Sequence, residues 1–117
     1  WGRPPFPQYS DIKAAEAGIS KDEPAILLSH DPDYWQFQLS KDSDHNYPLT
    51  LSGHTHAMQF GIQYGDRGFS PSSWKFDCWF GEYKKGGQTL IVSKGVGGSG
   101  IPFRLGMSPE YGVIYIK

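Results

Sequence analysis

The amino-acid sequence predicts an α/β fold in which short strands alternate with short helices and long loops. Three apolar runs, at residues 25–29, 48–52 and 88–93, carry this prediction, and Pro, Gly or Ser stands at or beside the ends of each. After the first run, Asp31 and Pro32 form a typical N-cap and first-turn pair for a helix. The chain has 117 residues, which fits one domain at most.

The elements of the first half follow in order along the chain. Residues 1–10 hold three prolines and are predicted to be an extended segment, and residues 11–18 a short helix that Asp11 caps. The run at residues 25–29 shows no alternation of apolar and polar positions, which predicts a central strand buried on both faces. Residues 33–40 are predicted to form a second short helix.

The second half of the chain is predicted to contain more loop than regular structure. The strand at residues 48–52 is followed, after a helical turn, by a long loop over residues 65–87, which is rich in Gly, Ser and aromatic side chains. The strand at residues 88–93 leads into a Gly-rich turn at residues 95–100. A fourth strand is predicted at residues 111–116.

Composition and charge exclude several classes of protein. The formal net charge is −1, from 11 basic and 12 acidic residues, and no basic run exceeds Lys84-Lys85, which argues against a nucleic-acid-binding module. No apolar run is long enough to cross a bilayer, and no secretion signal is visible. Cys78 is the sole cysteine, so it is expected to be a reduced, partly buried side chain without a disulfide partner.

Three of the four histidines stand directly after predicted strands. His30 follows the first strand, and His54 and His56 follow the second in the sequence G-H-T-H. Neutral imidazole is the commonest protein ligand for transition metals, and Gly53 permits a sharp turn from which alternate histidines reach two neighbouring ions. The alternative is that backbone hydrogen bonds satisfy these side chains. His45 lies in a polar loop and is expected to be a solvated surface histidine.

The segments around these histidines resemble the calcineurin-like metallophosphoesterases. The stretches ILLSHDPDYW, LTLSGHTHAMQFG and VSKGVGGSGIPFRLGMSPEYGVIYI carry the resemblance, which covers residues 11–117. It is strongest to a bacterial subgroup whose members often carry N-terminal membrane segments. The resemblance implies that residues 1–117 form a single partial domain, the C-terminal half of an α-β-β-α sandwich. One departure is Ala57, where the subgroup commonly has Gly and where alanine is expected to be tolerated.

The resemblance also implies a chemistry. Family members hydrolyse phosphate esters at two adjacent divalent ions of the Mn, Fe or Zn class, bridged by a carboxylate and a hydroxide. By position in the motifs, His30 and His54 are implied as ligands of the second ion and His56 as a ligand of the first. The implied substrate is a phosphorylated small molecule or a lipid-linked phosphate, and no nucleic acid is predicted as a partner.

The first three motifs of the family are missing from the chain. The patterns D-x-H, G-D-x-x-D and G-N-H-D/E must precede His30, yet residues 1–29 contain no histidine and none of these patterns. No residue of the chain is therefore assigned a catalytic role. Three neutral imidazoles without a bridging carboxylate cannot hold a charged ion pair, so the chain alone is expected to bind at most one ion weakly and to be inactive.

Two further residues are placed beside the candidate metal ligands. Asp31 either accepts a hydrogen bond from His30, and so tunes that ligand, or caps the following helix. Arg104 either contacts a substrate phosphate or pairs with Glu110. The aromatic side chains of the long loop either form a lid for an apolar substrate or pack on the core, and they are Trp74, Phe76, Trp79, Phe80 and Tyr83.

The sequence therefore predicts part of a metallophosphoesterase whose longer parent hydrolyses phosphate monoesters, diesters or pyrophosphates. The alternative is a non-catalytic binding or interaction module in which His30, His54 and His56 form a structural metal site. Half of a sandwich leaves an apolar sheet face uncovered, which makes self-association of the chain an expected way to bury it. The subgroup suggests a membrane-associated parent, whereas this chain is expected to be soluble.

Overall fold

A computed structural model describes residues 7–41 and 47–117 and places a four-stranded sheet at the centre of the fold. The strand bounds are β1 Ile26–Ser29, β2 Leu49–Ser52, β3 Ile62–Tyr64, β4 Arg67–Phe69, β5 Gly81–Lys85 and β6 Gln88–Val92. The strand order in the sheet is β1-β2-β6-β5, in which the first three strands are parallel and β5 runs antiparallel to β6. A separate antiparallel hairpin is formed by β3 and β4. The predicted α/β class is confirmed.

Two short helices begin at the residues that the sequence indicates. Helix α1 spans Ile12–Ala15 and helix α2 spans Pro32–Phe37, and single turns of 3-10 helix lie at Leu39–Lys41, His56–Gln59 and Pro71–Trp74. The Asp11 carboxylate accepts a hydrogen bond from the Ala14 N–H at 3.0 Å, and the Asp31 carboxylate accepts one from the Asp33 N–H at 2.9 Å. Both predicted caps are therefore present.

One face of the sheet is packed and forms the larger part of the core. Leu27, Thr50 and Leu90 lie side by side in register on this face, and Val92 lies on the same face two residues beyond Leu90. Helix α2 and the turn after it cover these strands. The buried side chains of this cluster are Trp35, Leu39, Tyr47, Cys78, Leu90 and Val92. Cys78 is free, as predicted, and burial raises the pKa of its thiol to about 11.

The opposite face of the sheet is largely uncovered. Ile26 and Leu28 on β1 are exposed, Leu28 to 76 %, and Leu51 and Ile91 beside them are only half-buried. The prediction that residues 25–29 form a central strand buried on both faces is therefore wrong in its burial, because β1 is an edge strand that pairs with β2 alone among the described residues. The apolar run of β1 is therefore unbroken although the face that bears Ile26 and Leu28 meets no partner within the described chain.

Two other predicted elements differ in the structure. The expected long loop at residues 65–87 contains β4 and β5, because Gly86 and Gly87, at φ of 58° and 82°, close a two-residue hairpin between β5 and β6. The expected fourth strand at residues 111–116 is not a strand. This segment has strand-forming side chains, but no neighbouring strand among the described residues pairs with it, and a strand requires a hydrogen-bonding neighbour.

A crossing of two backbones ties the C-terminal region to the segment after β2. The Gly61 N–H donates to the Leu105 carbonyl at 2.9 Å, and the Leu105 N–H donates to the Gln59 carbonyl at 2.8 Å. Gly106 completes the crossing at a φ of 73°, and a Cβ atom at this position would lie 1.7 Å from the Gly61 carbonyl oxygen. Only glycine therefore fits where the two backbones meet.

The backbone crossing predicts a difference between two glycine variants. Gly106→Ala is expected to lower the free energy of unfolding by at least about 2 kcal/mol more than Gly95→Ala. Both glycines have a positive φ, 73° and 69°, but a Cβ at Gly95 meets nothing within 4 Å. Gly95→Ala therefore controls for backbone strain alone. Urea denaturation measures both variants, and equal losses of stability would contradict the predicted steric clash.

Candidate functional site

Parallel pairing of β1 and β2 brings two histidines together at the carboxyl edge of the sheet. His30 follows Ser29 and His54 follows Ser52 by two residues, and Ser29 and Ser52 are partners in register. The His54 Nδ1 lies 2.9 Å from the His30 Nε2, and the two rings meet edge to face with centroids 4.7 Å apart. The Ser52 hydroxyl donates to the Ser29 carbonyl at 2.6 Å and fixes the strand ends that carry both rings.

The segment after β2 has an unusual left-handed backbone. His54 has a φ of 70°, and the four residues from His56 to Gln59 have φ values between 49° and 58° although none of them is glycine. Such a conformation costs on the order of 1 kcal/mol or more per residue and persists only where neighbouring contacts hold it. Ala57 lies within this run at a φ of 50°, which explains why Gly is the expected residue at its position.

Buried hydrogen bonds hold this left-handed turn. The Thr55 hydroxyl donates to the Trp79 carbonyl at 2.6 Å and accepts a hydrogen bond from the Ala57 N–H at 3.3 Å. The Ser70 hydroxyl donates to the Ala57 carbonyl at 2.7 Å. Thr55, Ala57 and Ser70 are all buried, so water does not compete for these bonds. Trp79 and Ser70 belong to the long loop at residues 65–87, so contacts with this loop fix the turn.

A cleft of about 460 Å³ opens at this turn. It contains two of the three predicted metal ligands and one basic side chain, together with part of the Gly-rich loop. The lining residues are His54, Thr55, His56, Met58, Gln59, Lys75, Phe76, Ser99, Gly100 and Ile101. Two imidazoles and a lysine around one cleft can attract an anionic group.

The three predicted ligands are not equivalent in the structure. His30 and His54 contact each other, whereas His56 lies beside His54 on the cleft and its Nδ1 is buried without a hydrogen-bond partner among the described residues. An orphaned buried nitrogen is an unusual feature of a folded protein. His45 lies outside the described residues.

The histidine pair is held at hydrogen-bond distance, since the His54 Nδ1 and the His30 Nε2 lie 2.9 Å apart. Neutral imidazole nitrogens are also common metal ligands. Within residues 7–41 and 47–117, however, no group of three or more His, Cys, Asp or Glu side chains is arranged to hold an ion. The described residues therefore contain a histidine pair but no complete set of metal ligands.

Asp31 and Arg104 both make contacts that fix local backbone. Asp31 caps α2, while its predicted tuning of His30 stays a prediction. The Arg104 guanidinium donates to the carbonyls of Lys94 at 2.8 Å and Gly97 at 2.5 Å. The alternative pairing of Arg104 with Glu110 is wrong, because Glu110 pairs with Lys94 at 3.0 Å. A contact from Arg104 to substrate stays a prediction.

Two residues that line the cleft are absent from the sequence prediction. Gln59 is buried, and its amide nitrogen donates to the carbonyls of Ile101 and Phe103 at 2.8 and 2.7 Å while its oxygen accepts from the Ser99 N–H. It therefore joins the left-handed turn to the Gly-rich loop. Lys75 places a positive charge on the cleft. The only signal for either residue is a polar side chain between apolar neighbours, which is too common to be informative.

The aromatic side chains of the long loop differ in how far they are buried. Phe76 and Trp79 are buried, which confirms the packing interpretation for them, whereas Trp74 is 78 % exposed. The Phe76 ring meets the His54 ring edge to face with centroids 5.5 Å apart. Partial burial is the largest cause that lowers the pKa of His54, the charge of Asp31 opposes it, and His30 and Lys75 lower it further. The lowered pKa favours the neutral form of the His54 ring, and neutral imidazole is the form that binds a metal.

Comparison with known proteins finds two relatives. The chain is 37 % identical over 102 residues to a Bos taurus protein named "transmembrane protein with metallophosphoesterase domain", and 32 % identical over 93 residues to the metallophosphoesterase YkuE of Bacillus subtilis (strain 168). The matches cover 86 % and 80 % of this chain but only 21 % and 31 % of the relatives. No family model and no solved structure matches the chain significantly. Among the described residues, no helix has the length and apolar character to cross a membrane.

The lowered pKa of His54 predicts a pH dependence of stability. The unfolded chain takes up a proton at this residue near the ordinary value of 6.5, whereas the folded chain resists protonation. The free energy of unfolding is therefore expected to fall as the pH drops through 6.5 and to level off below the folded pKa. Urea denaturation at a series of pH values measures this fall, and NMR of the ring proton gives the pKa directly. His54→Gln should lose this part of the dependence, and a His54 pKa at or above 6.5 would contradict the burial argument.

Proposed function

Because the chain belongs to the metallophosphoesterase family over the 80 % or more of its length that is matched, we propose that it forms the histidine side of a two-metal phosphoester-hydrolysing centre in a longer enzyme. The observation that carries this proposal is the juxtaposition of His30 and His54 at neighbouring strand ends, beside a cleft that also holds His56. The chain spans only about a fifth to a third of its relatives, so the rest of the centre belongs to the longer protein in this proposal.

The described side chains have distinct roles in this proposal. His30 and His54 would hold one divalent ion. His56, whose buried Nδ1 has no hydrogen-bond partner within residues 7–41 and 47–117, would contribute to another. Bound divalent ions of the Mn, Fe or Zn class lower the pKa of water and stabilise charge on a transferring phosphoryl group. The chain itself orients the imidazoles, through the strand ends for His30 and through the left-handed turn for His54 and His56.

The cleft supports a phosphate-bearing substrate. Lys75 lies on it with the two histidines, and Ser99 and Gly100 of the Gly-rich loop also line it. A lysine attracts the charged group of a phosphomonoester, phosphodiester or pyrophosphate before any chemistry occurs. The proposal includes a membrane-associated parent protein, which the name of the Bos taurus relative as a transmembrane protein supports.

The chain alone is proposed to be inactive. His30, His54 and His56 are neutral ligands, and the chain carries none of the carboxylate motifs with which the family bridges its ions. Two divalent ions held close together repel each other unless nearby carboxylates offset their charge. The described chain is therefore proposed to bind one ion weakly, and to become catalytic only together with a segment that supplies carboxylates.

Self-association of the chain is proposed as well. The sheet face that bears Ile26, Leu28, Leu51 and Ile91 is an apolar surface without a cover among the described residues. The outer edge of β1 also leaves backbone donors and acceptors unpaired within the described chain. Two copies that meet through this face would remove its apolar side chains from water.

Metal titration tests the role of the histidines. Calorimetric titration with Mn²⁺ or Zn²⁺ is expected to show weak binding that His54→Ala and His30→Ala each reduce by at least about tenfold. His45→Ala is the matched control and should leave the affinity unchanged. Equal affinity in all three variants would contradict the assignment of the ligands.

An activity assay tests the proposed inactivity of the chain. With Mn²⁺ and a generic aryl phosphodiester, the chain is expected to give no turnover above the metal alone. Turnover that His54→Ala abolishes would show that the chain is active by itself and would contradict the proposal. Tight metal binding that strongly raises the melting temperature would favour the alternative of a non-catalytic module with a structural metal site.

Sedimentation velocity tests self-association. The mean mass is expected to rise with protein concentration, and Leu28→Lys is expected to abolish this rise because it places a charge on the uncovered face. Ile62→Lys is the matched control, since Ile62 is exposed to 74 % on β3 and lies outside the four-stranded sheet. A mean mass that stays that of one chain at all concentrations, or an equal effect of both variants, would contradict the proposal.

A further inference from the structure

The side chain of Gln59 is buried within the loop that follows β6. Gln59 is the last residue of the left-handed turn, and it is only 1 % exposed. Its amide nitrogen donates to the carbonyls of Ile101 and Phe103 at 2.8 and 2.7 Å, and its amide oxygen accepts from the Ser99 N–H. Both donor hydrogens of the amide and one acceptor site of its oxygen are therefore used by the loop.

A glycine at position 98 lets the loop close around this amide. A Cβ atom on Gly98 would lie 3.0 Å from the Ile101 carbonyl oxygen and 3.3 Å from the Gln59 amide nitrogen. A Cβ atom on the neighbouring Gly97 would meet nothing within 4 Å. The loop therefore packs closely against the Gln59 amide at one defined position, and a side chain there would displace it.

A different side chain holds the beginning of the same loop. The Arg104 guanidinium donates to the Lys94 carbonyl at 2.8 Å, and its Nε donates to the Gly97 carbonyl at 3.0 Å. These contacts lie before the residues that Gln59 binds. Arg104 thus fixes the start of the loop, and the Gln59 side chain fixes residues 99–103.

The part of the loop that Gln59 fixes is a wall of the candidate cleft. Three consecutive residues of this part lie on the cleft beside the two histidines, and they are Ser99, Gly100 and Ile101. All three are exposed, in contrast to the buried Gln59. Ser99 has the only hydroxyl in residues 95–101, and a hydroxyl can donate to a phosphate oxygen.

We propose that Gln59 is a positioning residue that sets where Ser99 lies relative to the histidines of the cleft. A phosphate that binds beside His54 and His56 then also reaches the Ser99 hydroxyl. Hydrogen bonds hold only within a narrow range of distances, so a small displacement of the loop removes this contact. The choice of phosphate as the ligand rests on the proposed function, whereas the hydrogen bonds of Gln59 do not.

The histidine end of the turn has hydrogen bonds of its own. The Thr55 hydroxyl donates to the Trp79 carbonyl, and the Ser70 hydroxyl donates to the Ala57 carbonyl. Neither bond involves the Gln59 side chain. Loss of the Gln59 amide is therefore expected to displace the loop wall and to leave the histidines in place, which distinguishes positioning from a general contribution to stability.

Two separate titrations of the chain test the role of Gln59. Inorganic phosphate is titrated without metal and followed by NMR of the Ser99 and Gly100 amides, and Zn²⁺ is titrated without phosphate by calorimetry. Gln59→Met, with a neutral side chain of similar length, is expected to lower the phosphate affinity at least about fivefold and to change the Zn²⁺ affinity by less than about twofold. Hydrogen exchange of the Ser99 N–H should become at least about tenfold faster, because its acceptor is lost.

Three further variants complete this experiment, and circular dichroism checks that each of them folds. Ser99→Ala is expected to lower the phosphate affinity while the N–H of residue 99 stays protected from exchange. Gly98→Ala displaces the loop from its own side, so it tests the inference even where Gln59→Met does not fold. Gly97→Ala is the matched control and should leave both affinities unchanged, since its Cβ meets nothing within 4 Å.

Parallel losses of phosphate and Zn²⁺ affinity in Gln59→Met would overturn the inference, because they indicate a general structural role. An unchanged chain that binds no phosphate, or equal effects of Gly98→Ala and Gly97→Ala, would overturn it as well. Failure of the proposed function has a different signature. A chain in which His30→Ala and His54→Ala do not reduce Zn²⁺ binding contradicts the metal site, but it leaves the phosphate titration and the Ser99 exchange as independent tests of Gln59.

Discussion

The left-handed turn from His54 to Gln59 is the constraint on which the rest of the site depends. A run of non-glycine residues at positive φ is unfavourable by itself, and buried hydrogen bonds from Thr55, Ser70 and Gln59 hold it in place. The turn sets where His54 meets His30 and where His56 joins the cleft. The turn also leads into the backbone crossing at Gly61, and the β3–β4 hairpin begins at the next residue.

The distribution of burial explains how a site and two open surfaces coexist in one chain. The packed sheet face and the cluster of Ala57, Phe76, Trp79 and Met107 hold the turn from below. The uncovered sheet face and the exposed apolar side chains of the β3–β4 hairpin lie outside both clusters. The first is a face of regular sheet without charges on β1 or β2, whereas the second is a short hairpin whose turn carries the opposite charges of Asp66 and Arg67.

Much of the local structure follows from short sequence signals. The caps at Asp11 and Asp31 and the strands that begin near residues 26, 49 and 88 all appear where the sequence indicates them. The strand predicted at residues 111–116 and the burial predicted for β1 fail for one shared reason. The order of apolar and polar residues indicates that a segment can form a strand. Its pairing and burial depend on a neighbouring segment, which that order does not identify.

The sequence by itself determined the residue types of the site and their positions after strands, because the motifs that contain His30, His54 and His56 are local and specific. Only the tertiary structure decided that His30 and His54 are in contact, that Gln59 and Lys75 join the site, and that the hairpin exposes aromatic side chains. The physical reason is that these features depend on strand register, on a strained turn and on the packing of distant segments. Each of them is a property of positions far apart in the sequence, on which a local pattern carries no information.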